Sequence, residues 1–170
     1  LKEQAMERIF TIGYEGSSLE DFIATLQLLK IDKLIDIREF AISRRKGFSK
    51  TALCEALAAK KIQYQHEKNL GSPKLIRHRL REDNDYSRYF SDFEEYMETQ
   101  IDVLRSLLSS SGTIALMCYE RDFKICHRSV VASKLSEISG LKPQHVGVRK
   151  QEFKNSNRKG MDISQSLPST

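Results

Sequence analysis

Three carboxylates that follow apolar segments are candidates for acid/base chemistry. Glu15 follows the run "RIFTIGY", Asp36 lies within "KLIDIRE", and Glu120 follows "TIALMCY". A partly buried carboxylate at the end of a strand can act as a general acid, a general base or an electrostatic stabiliser. Asp36 has an alternative role, since it could simply pair with Arg38 and tie two loops together. We therefore predict Glu15, Asp36 and Glu120 as catalytic residues and leave that alternative open for Asp36.

Thiol chemistry is the second option that the sequence offers. Cys126 precedes His127 and Arg128 at the start of a predicted helix, where the helix dipole and the positive neighbours stabilise a thiolate. Cys126 is therefore a candidate nucleophile, with a half-buried thiol that caps the helix as the alternative. Cys118 and Cys54 lie in apolar patterns typical of core positions. The three cysteines do not form the even framework of a small secreted protein, so we expect reduced thiols.

A metal site is a further use of the same residues. Cys118, Cys126 and His127 could in principle bind a metal ion. A single Cys-x7-Cys-His set lacks the paired spacing of a zinc site. The sequence therefore predicts no metal and no cofactor.

A basic stretch indicates a phosphate-bearing partner. Between Arg44 and Arg81 there are eleven Lys or Arg residues against two acidic ones, which suits a nucleotide or a nucleic acid, although such a run can also be a solvated face. Arg44 and Arg128 suit bidentate phosphate recognition, and Phe48 could add a stacking face. The predicted substrate-binding residues are Tyr14, Arg38, Ser43, Arg44, Cys118, His127 and Arg128.

An acidic stretch follows the basic one, from Glu82 to Glu98. Its charges could cover the basic surface of a second copy, which would make a homodimer, or they could simply keep the chain in solution.

Strands must bring these scattered residues together. Short apolar runs alternate with segments of helical periodicity, which predicts a single α/β domain with a largely parallel sheet and helices on both faces. Ligands bind such sheets at the carboxyl ends of the strands. The predicted strands lie within "RIFTIGYEG", "KLIDIRE", "IQYQHE", "TIALMCYE" and "QHVGV".

The helices are predicted from caps and periodicity. One begins after Ser18, one near Ser49, and one within "RSVVASKLSEIS" ends at Gly140. Apolar residues from Tyr86 to Leu108 recur three or four apart, which predicts the longest helix. The segment 69–85 is rich in turn residues and charges and is predicted to be a long loop.

Composition indicates one soluble domain in the cytoplasm. The chain has 170 residues, of which 39% are hydrophobic and 30% charged, and no apolar run approaches the ~20 residues that a membrane helix needs. We predict an N-terminal extension over 1–7 without a secretory signal, a domain over 8–148, and a basic, disordered tail over 149–170.

Six motifs in order resemble one family. With "IGYEG", "DIR", "SR", "NLG", "CYE" and "CHR", residues from about Ile9 to Val148 are similar to the family called domain of unknown function 488. That family has a proline shortly before the Ser-Arg pair, where this chain has Ala41 and Ile42. The resemblance implies an α/β fold and a shared polar pocket, but no reaction. The matching positions are Gly13, Tyr14, Glu15, Gly16, Asp36, Arg38, Ser43, Arg44, Leu70, Gly71, Cys118, Glu120, Cys126, His127 and Arg128.

A fainter likeness concerns topology. The strand "KLIDIRE", a later strand, a cysteine loop and an Arg-Ser helix start are similar in layout to rhodanese-type sulfurtransferases and, more distantly, to cysteine phosphatases. The loop "CYERDFKICHRS" lacks the compact run of backbone donors around one cysteine that those enzymes need. We take this likeness as one of layout only.

Three functions remain open from sequence. The first is an enzyme acting on a nucleotide or nucleic acid, at a base or its glycosidic bond, through the strand-end carboxylates. The second is sulfur or phosphoryl transfer through Cys126 or Cys118. The third is a nucleic-acid-binding module without catalysis. We favour the first, because electrostatic binding alone does not require carboxylates and thiols in the pocket.

Overall fold

The computed structural model describes residues 5–151, which form five strands and six α-helices. The strands are β1 (Met6–Gly13), β2 (Lys33–Asp36), β3 (Gln63–His66), β4 (Gly112–Cys118) and β5 (Gln144–Val146). The helices are α1 (Leu19–Leu28), α2 (Lys50–Ala58), α3 (Lys74–Asp83), α4 (Tyr86–Glu98), α5 (Ile101–Leu108) and α6 (Arg128–Ser139). Two 3-10 turns cover Lys68–Leu70 and Phe123–Ile125.

The five strands form one parallel sheet in the order β3-β2-β4-β1-β5. Parallel neighbours need crossover connections, so all the strands end at the same edge. At that edge Gly13 of β1 lies beside Cys118 of β4, and Asp36 of β2 lies beside Met117. The loops that follow β1, β2 and β4 therefore converge, as the predicted α/β fold requires.

Helices cover both faces of the sheet. Alternate residues of a strand point to opposite faces, so Leu116 of β4 packs in one hydrophobic cluster and Met117 in the other. The first cluster includes Phe93 of α4 and Leu135 of α6, and the second includes Phe22 of α1. The predicted arrangement, a single α/β domain with helices on both faces, is confirmed.

Local signals in the sequence place several helix ends. Ser18 caps α1, its hydroxyl accepting from the backbone N–H of Asp21 at 3.1 Å. Gly140 ends α6 in the left-handed region, at φ 75°, where glycine is favoured. Ser49 precedes α2, but its hydroxyl bonds the backbone N–H and carbonyl of Ser43 instead of the helix. That contact fastens the basic loop to the start of α2.

The segment 69–85 is not the predicted long loop, because it contains α3. Pro73 precedes the first residue of this helix, and Asn84 ends it in the left-handed region. Seven of its ten residues are polar and none of its side chains is buried, so the sequence shows only three apolar residues, Leu75, Ile76 and Leu80. It is held partly by an ion pair between Arg79 and Asp92 of α4.

Two further expectations need correction. The predicted helix from Tyr86 to Leu108 is two helices, α4 and α5, with a break at Thr99 and Gln100. Apolar residues keep helical spacing across the break, so periodicity alone could not reveal it. Cys54 is exposed on α2 rather than part of the core.

The described residues can be compared with the predicted limits of the domain. β1 begins at Met6, two residues before the predicted domain start. Most of the tail over 149–170 lies outside the described residues. Among the residues that the structure describes, no helix combines the length and the apolar character needed to cross a membrane.

Candidate functional site

A cavity of about 900 Å³ opens at the edge where the strands end. Its volume lies within the roughly 300–1,000 Å³ typical of small-molecule sites. Residues after β1, β2 and β4 form one side, and α3 with the start of α4 forms the other. The cavity therefore occupies the position at which parallel sheets bind ligands.

Exposed apolar side chains concentrate in this cavity. The described residues include eight large hydrophobic side chains that are exposed to solvent, and five of them line it. Isolated exposed hydrophobics are common on proteins, but a group around one concavity marks a binding site. The five residues are Phe40, Ile42, Tyr86, Tyr119 and Ile125.

Two arginines of the cavity wall already have acidic partners. Arg77 on α3 pairs with Glu39 at 2.5 Å and also donates to the backbone carbonyl of Ser72. Arg38 pairs with Asp36. Both guanidinium groups are therefore committed to holding the wall.

Arg44 and Arg81 differ from those two. Both line the cavity, and neither makes a side-chain hydrogen bond or an ion pair with another residue between 5 and 151. Arg45, the fifth arginine of the wall, donates to the carbonyl of Ser17. Arg44 and Arg81 are thus the cations available to an anionic ligand.

Asp36 is fully buried and does not line the cavity. Its carboxylate accepts from Arg38 Nε at 2.8 Å, Arg38 Nη2 at 2.7 Å and the Arg38 backbone N–H at 3.1 Å, and from Tyr64 Oη at 2.5 Å. Burial acts to lower the pKa of Arg38, but Asp36 and then Tyr14 outweigh it and raise that pKa above its ordinary value. Burial and then Asp36 raise the pKa of Tyr64. The geometry thus places Asp36 as the anchor of Arg38.

The other two carboxylates occupy different positions. Glu15 accepts a hydrogen bond from the backbone N–H of Arg121 at 2.9 Å and joins the loops after β1 and β4. It does not line the cavity, whereas the half-buried Glu120 does. Of the three predicted catalytic carboxylates, Glu120 is the one that a ligand in the cavity could contact.

Tyr14 joins the core to the cavity. Its ring is stacked on Phe48 at 4.3 Å between centroids, and its hydroxyl accepts from Arg38 Nη1 at 3.1 Å. Phe48 is fully buried, packed edge-on against Phe22, so the suggestion that it offers a stacking face to a ligand is wrong. Ser43 lines the cavity, and its hydroxyl accepts from the backbone N–H of Arg45.

The two predicted site cysteines are adjacent in space. Cys118 ends β4, and Cys126 lies between the second 3-10 turn and α6; their sulfur atoms are in direct contact, although their Cα atoms are 7.6 Å apart. The sequence did not predict this contact, which arises because the loop from Tyr119 to Ile125 folds back on the strand. Both cysteines are buried, and of the two only Cys118 lines the cavity.

Arg128 is 1% exposed and does not line the cavity. Its guanidinium donates to Thr11 Oγ1 at 3.2 Å, to Cys118 Sγ at 3.1 Å, to the Arg121 carbonyl at 3.0 Å and to the Glu120 carbonyl. Burial lowers its pKa to about 10, so the group stays charged at neutral pH. The structure therefore places Arg128 inside the loop after β4, away from the surface that a phosphate would reach.

His127 lines the cavity with one side of a buried ring. Its Nε2 lies 2.8 Å from the Ile37 carbonyl, and its Nδ1 lies 3.8 Å from Cys126 Sγ. Phe93 packs edge-on against the ring. Burial, above all, lowers the pKa of His127.

The sequence interpretation missed the residues that α3 and α4 contribute. Arg77, Arg81 and Tyr89 were in or beside the predicted loop. The two arginines are four residues apart, which places them on one face of a helix, and this spacing was the signal that could have revealed them.

Tyr89 of α4 also lines the cavity. Burial raises the pKa of Tyr89 to about 12.

Comparison with known proteins identifies a family but no activity. A family model described as "Domain of unknown function DUF488" matches residues 18–135, more than half of the chain. No curated protein matches the chain. No solved structure matches it.

Proposed function

The chain belongs to the DUF488 family, and because that description names no reaction, we propose a function from the cavity. We propose that the protein is an enzyme acting on a nucleotide or nucleic-acid substrate, with Glu120 as its acid/base residue. A base and a phosphate are the two chemical groups that the cavity walls suit.

The observation that carries this proposal is the joint composition of the cavity wall. Exposed aromatic side chains at Phe40, Tyr86 and Tyr119 offer faces on which a planar base can stack. Arg44 and Arg81, which have no acidic partner in the described range, offer charge-assisted bonds to phosphate. A purely apolar ligand would leave both cations without a partner.

Glu120 supplies the reactive group in this proposal. It lies in the loop after β4, between the strand end and the cavity. Cleavage of a glycosidic bond leaves a base that must gain a proton and a sugar that must gain a nucleophile, and one carboxyl group can serve either step as acid or base. Glu15 and Asp36, which were also predicted as catalytic, are held by other contacts outside the cavity.

Ligand binding is the first test. We expect nucleoside monophosphates and short oligonucleotides to raise the melting temperature, and the matching nucleosides without phosphate to do so less. Arg44→Ala and Arg81→Ala should each weaken nucleotide binding about tenfold, since a charged hydrogen bond contributes roughly 1.5–3 kcal/mol and exposure reduces this. Arg105→Ala, an exposed arginine of α5 outside the cavity, is the matched control.

Turnover is the second test. On a nucleotide that binds, Glu120→Gln should retain binding and lose roughly 10²–10⁴-fold in rate. Glu15→Gln is the matched control, because it makes the same change outside the cavity. Equal binding of nucleosides and nucleotides would refute the phosphate assignment, and full activity of Glu120→Gln would refute the catalytic one.

One observation favours a second candidate, thiol chemistry. Cys118 is a buried residue of the cavity wall, and its Sγ accepts a hydrogen bond from the guanidinium of Arg128, which stabilises a thiolate. In that case a thiol-specific reagent should label Cys118 in the reduced protein faster near neutral pH than it labels Cys54. Labelling slower than at Cys54 would remove this candidate.

A further inference from the structure

Four side chains with metal-binding atoms meet at the inner wall of the cavity. The ligand atoms of Cys118, Glu120, Cys126 and His127 all lie within 4.8 Å of one another. A tetrahedral site with bonds of about 2.0–2.3 Å places its ligand atoms about 3.3–3.8 Å apart. To close around one ion, the two sulfur atoms, which are in contact in this structure, must separate and the more distant ligand atoms must approach by about 1 Å, both by side-chain rotation.

The histidine is oriented as metal ligands are. A carbonyl oxygen only accepts hydrogen bonds, so the contact of Nε2 with the Ile37 carbonyl at 2.8 Å places the ring proton on Nε2. Nδ1 then carries the lone pair, and it is the atom that faces Cys126 Sγ at 3.8 Å. A backbone carbonyl that fixes the tautomer and the ring is a regular companion of metal-bound histidine.

Both sulfur atoms accept hydrogen bonds that suit thiolates. Cys118 Sγ accepts from Arg128 Nη1 at 3.1 Å, and Cys126 Sγ accepts from the Arg128 backbone N–H at 3.4 Å. Arg128 is buried and has no ion pair with a carboxylate in the part of the chain that the structure describes. A thiolate at Cys118 would give this buried cation an anionic partner.

The backbone separation distinguishes a metal pair from a disulfide. The Cα atoms of Cys118 and Cys126 are 7.6 Å apart. Disulfides join Cα atoms about 4.4–6.8 Å apart, and longer separations require the backbone to move. A metal ion between two thiolates spans a wider gap, and a disulfide would leave Arg128 without an anionic partner among the residues from 5 to 151.

We propose that Cys118, Cys126 and His127 bind a Zn²⁺-class ion whose fourth position faces the cavity beside Glu120. Thiolate and imidazole ligands select zinc among the common divalent ions. Three protein ligands and an open fourth position are the pattern of catalytic zinc sites, in which the ion can polarise a substrate oxygen or a water molecule. The inference does not rest on the proposed substrate, because metal binding is measured without one.

The wild-type chain allows a test with an internal control. The protein is reduced with a phosphine, freed of metal with a chelator, and alkylated with and without one equivalent of Zn²⁺. Zinc should protect Cys118 and Cys126 strongly and leave the rate at the exposed Cys54 unchanged. The proposal would be overturned if zinc left the alkylation rate of each of the three cysteines unchanged. It would also be overturned if Cys118 and Cys126 formed a disulfide in the presence of zinc and the protein then held no zinc.

Variants then identify the ligands. Co²⁺ should bind at about one equivalent with the absorption of tetrahedral thiolate coordination, and Zn²⁺ should displace it. Cys118→Ser, Cys126→Ser and His127→Asn should each weaken zinc affinity by roughly 100-fold or more, with Cys54→Ser as the matched control. Unchanged affinity in Cys126→Ser, or equal loss in Cys54→Ser, would also refute the site. Glu120→Gln should retain zinc, so the metal-binding proposal can be tested separately from the proposed catalytic role of Glu120.

Discussion

Replacement of Asp36 by Asn tests whether this carboxylate is structural. The substitution keeps the shape of the side chain and removes the negative charge that faces Arg38 across two short hydrogen bonds. Arg38 is 7% exposed and has no second carboxylate partner in the described range. Removing one member of a buried ion pair typically costs about 3–5 kcal/mol, because the remaining charge is left without compensation.

The hydrogen bonds that Asp36→Asn can keep determine how much unfolding free energy is lost. The amide oxygen introduced by Asp36→Asn can still accept from one donor, so we expect the lower end, about 3 kcal/mol of unfolding free energy. For a chain of this length that corresponds to a fall of roughly 6–12 °C in melting temperature. Urea unfolding followed by circular dichroism measures this loss. Glu55→Gln is the control, because Glu55 is exposed on α2 and its side chain makes no hydrogen bond or ion pair with another residue between 5 and 151.

A double variant tests whether the unpaired charge of Arg38 causes the loss of stability. Asp36→Asn with Arg38→Met removes both charges, and part of the lost stability should return because no buried charge remains unpaired. A loss below about 1 kcal/mol for Asp36→Asn, similar to that of Glu55→Gln, would show that the pair does not hold the loop after β2. The anchoring role that the geometry assigns to Asp36 would then be wrong.

Two further predictions concern the edge of the sheet and the buried imidazole. Gly13→Ala should destabilise the chain by about 1–3 kcal/mol, because the new Cβ would clash with the backbone carbonyl of Glu120, whereas Gly147→Ala meets nothing within 4 Å and should be near neutral in the same urea assay. The pKa of His127 in the folded, metal-free protein is lowered below its ordinary 6.5. Below about pH 6.5 this histidine therefore binds a proton more readily in the unfolded chain than in the folded one. The unfolding free energy should fall as the pH decreases through that range. The stability advantage of the wild type over His127→Gln should therefore shrink from pH 7.5 to pH 5, and parallel pH profiles would contradict the buried, neutral imidazole.

The sequence predicted the fold where the local signals were strong. The alternation of short apolar runs with capped, periodic helices was sufficient for the parallel sheet, the two covered faces and the helix after Ser18. Helix α3 was missed because seven of its ten residues are polar, which leaves only three apolar residues, and none of its side chains is buried. Its contacts with Asp92 of α4 and with Glu39 after β2 join residues distant in sequence, which no local pattern contains.

The sequence predicted where the site lies better than it predicted what each residue does there. Parallel strands bring Tyr14, Arg38, Cys118 and Glu120 to one edge whatever their side chains do, and all four line the cavity. Whether a side chain points into the cavity or supports the wall depends on partners distant in sequence. Asp36 illustrates this, since its hydrogen bond to Tyr64 spans 28 residues and could not be inferred from "DIR".

Close approach at the end of β1 explains how Glu120 comes to face the cavity. Gly13 has no side chain, so the carbonyl of Glu120 lies directly over it, and the backbone N–H of Glu15 donates to the Tyr119 carbonyl at 2.8 Å. Arg128 binds the carbonyls of Glu120 and Arg121 from beneath. The loop after β4 is thus held by its backbone atoms, and the Glu120 side chain makes no hydrogen bond or ion pair with the other described residues. A glycine before the loop and a buried arginine after it therefore act together to present one carboxylate, although neither contacts a ligand.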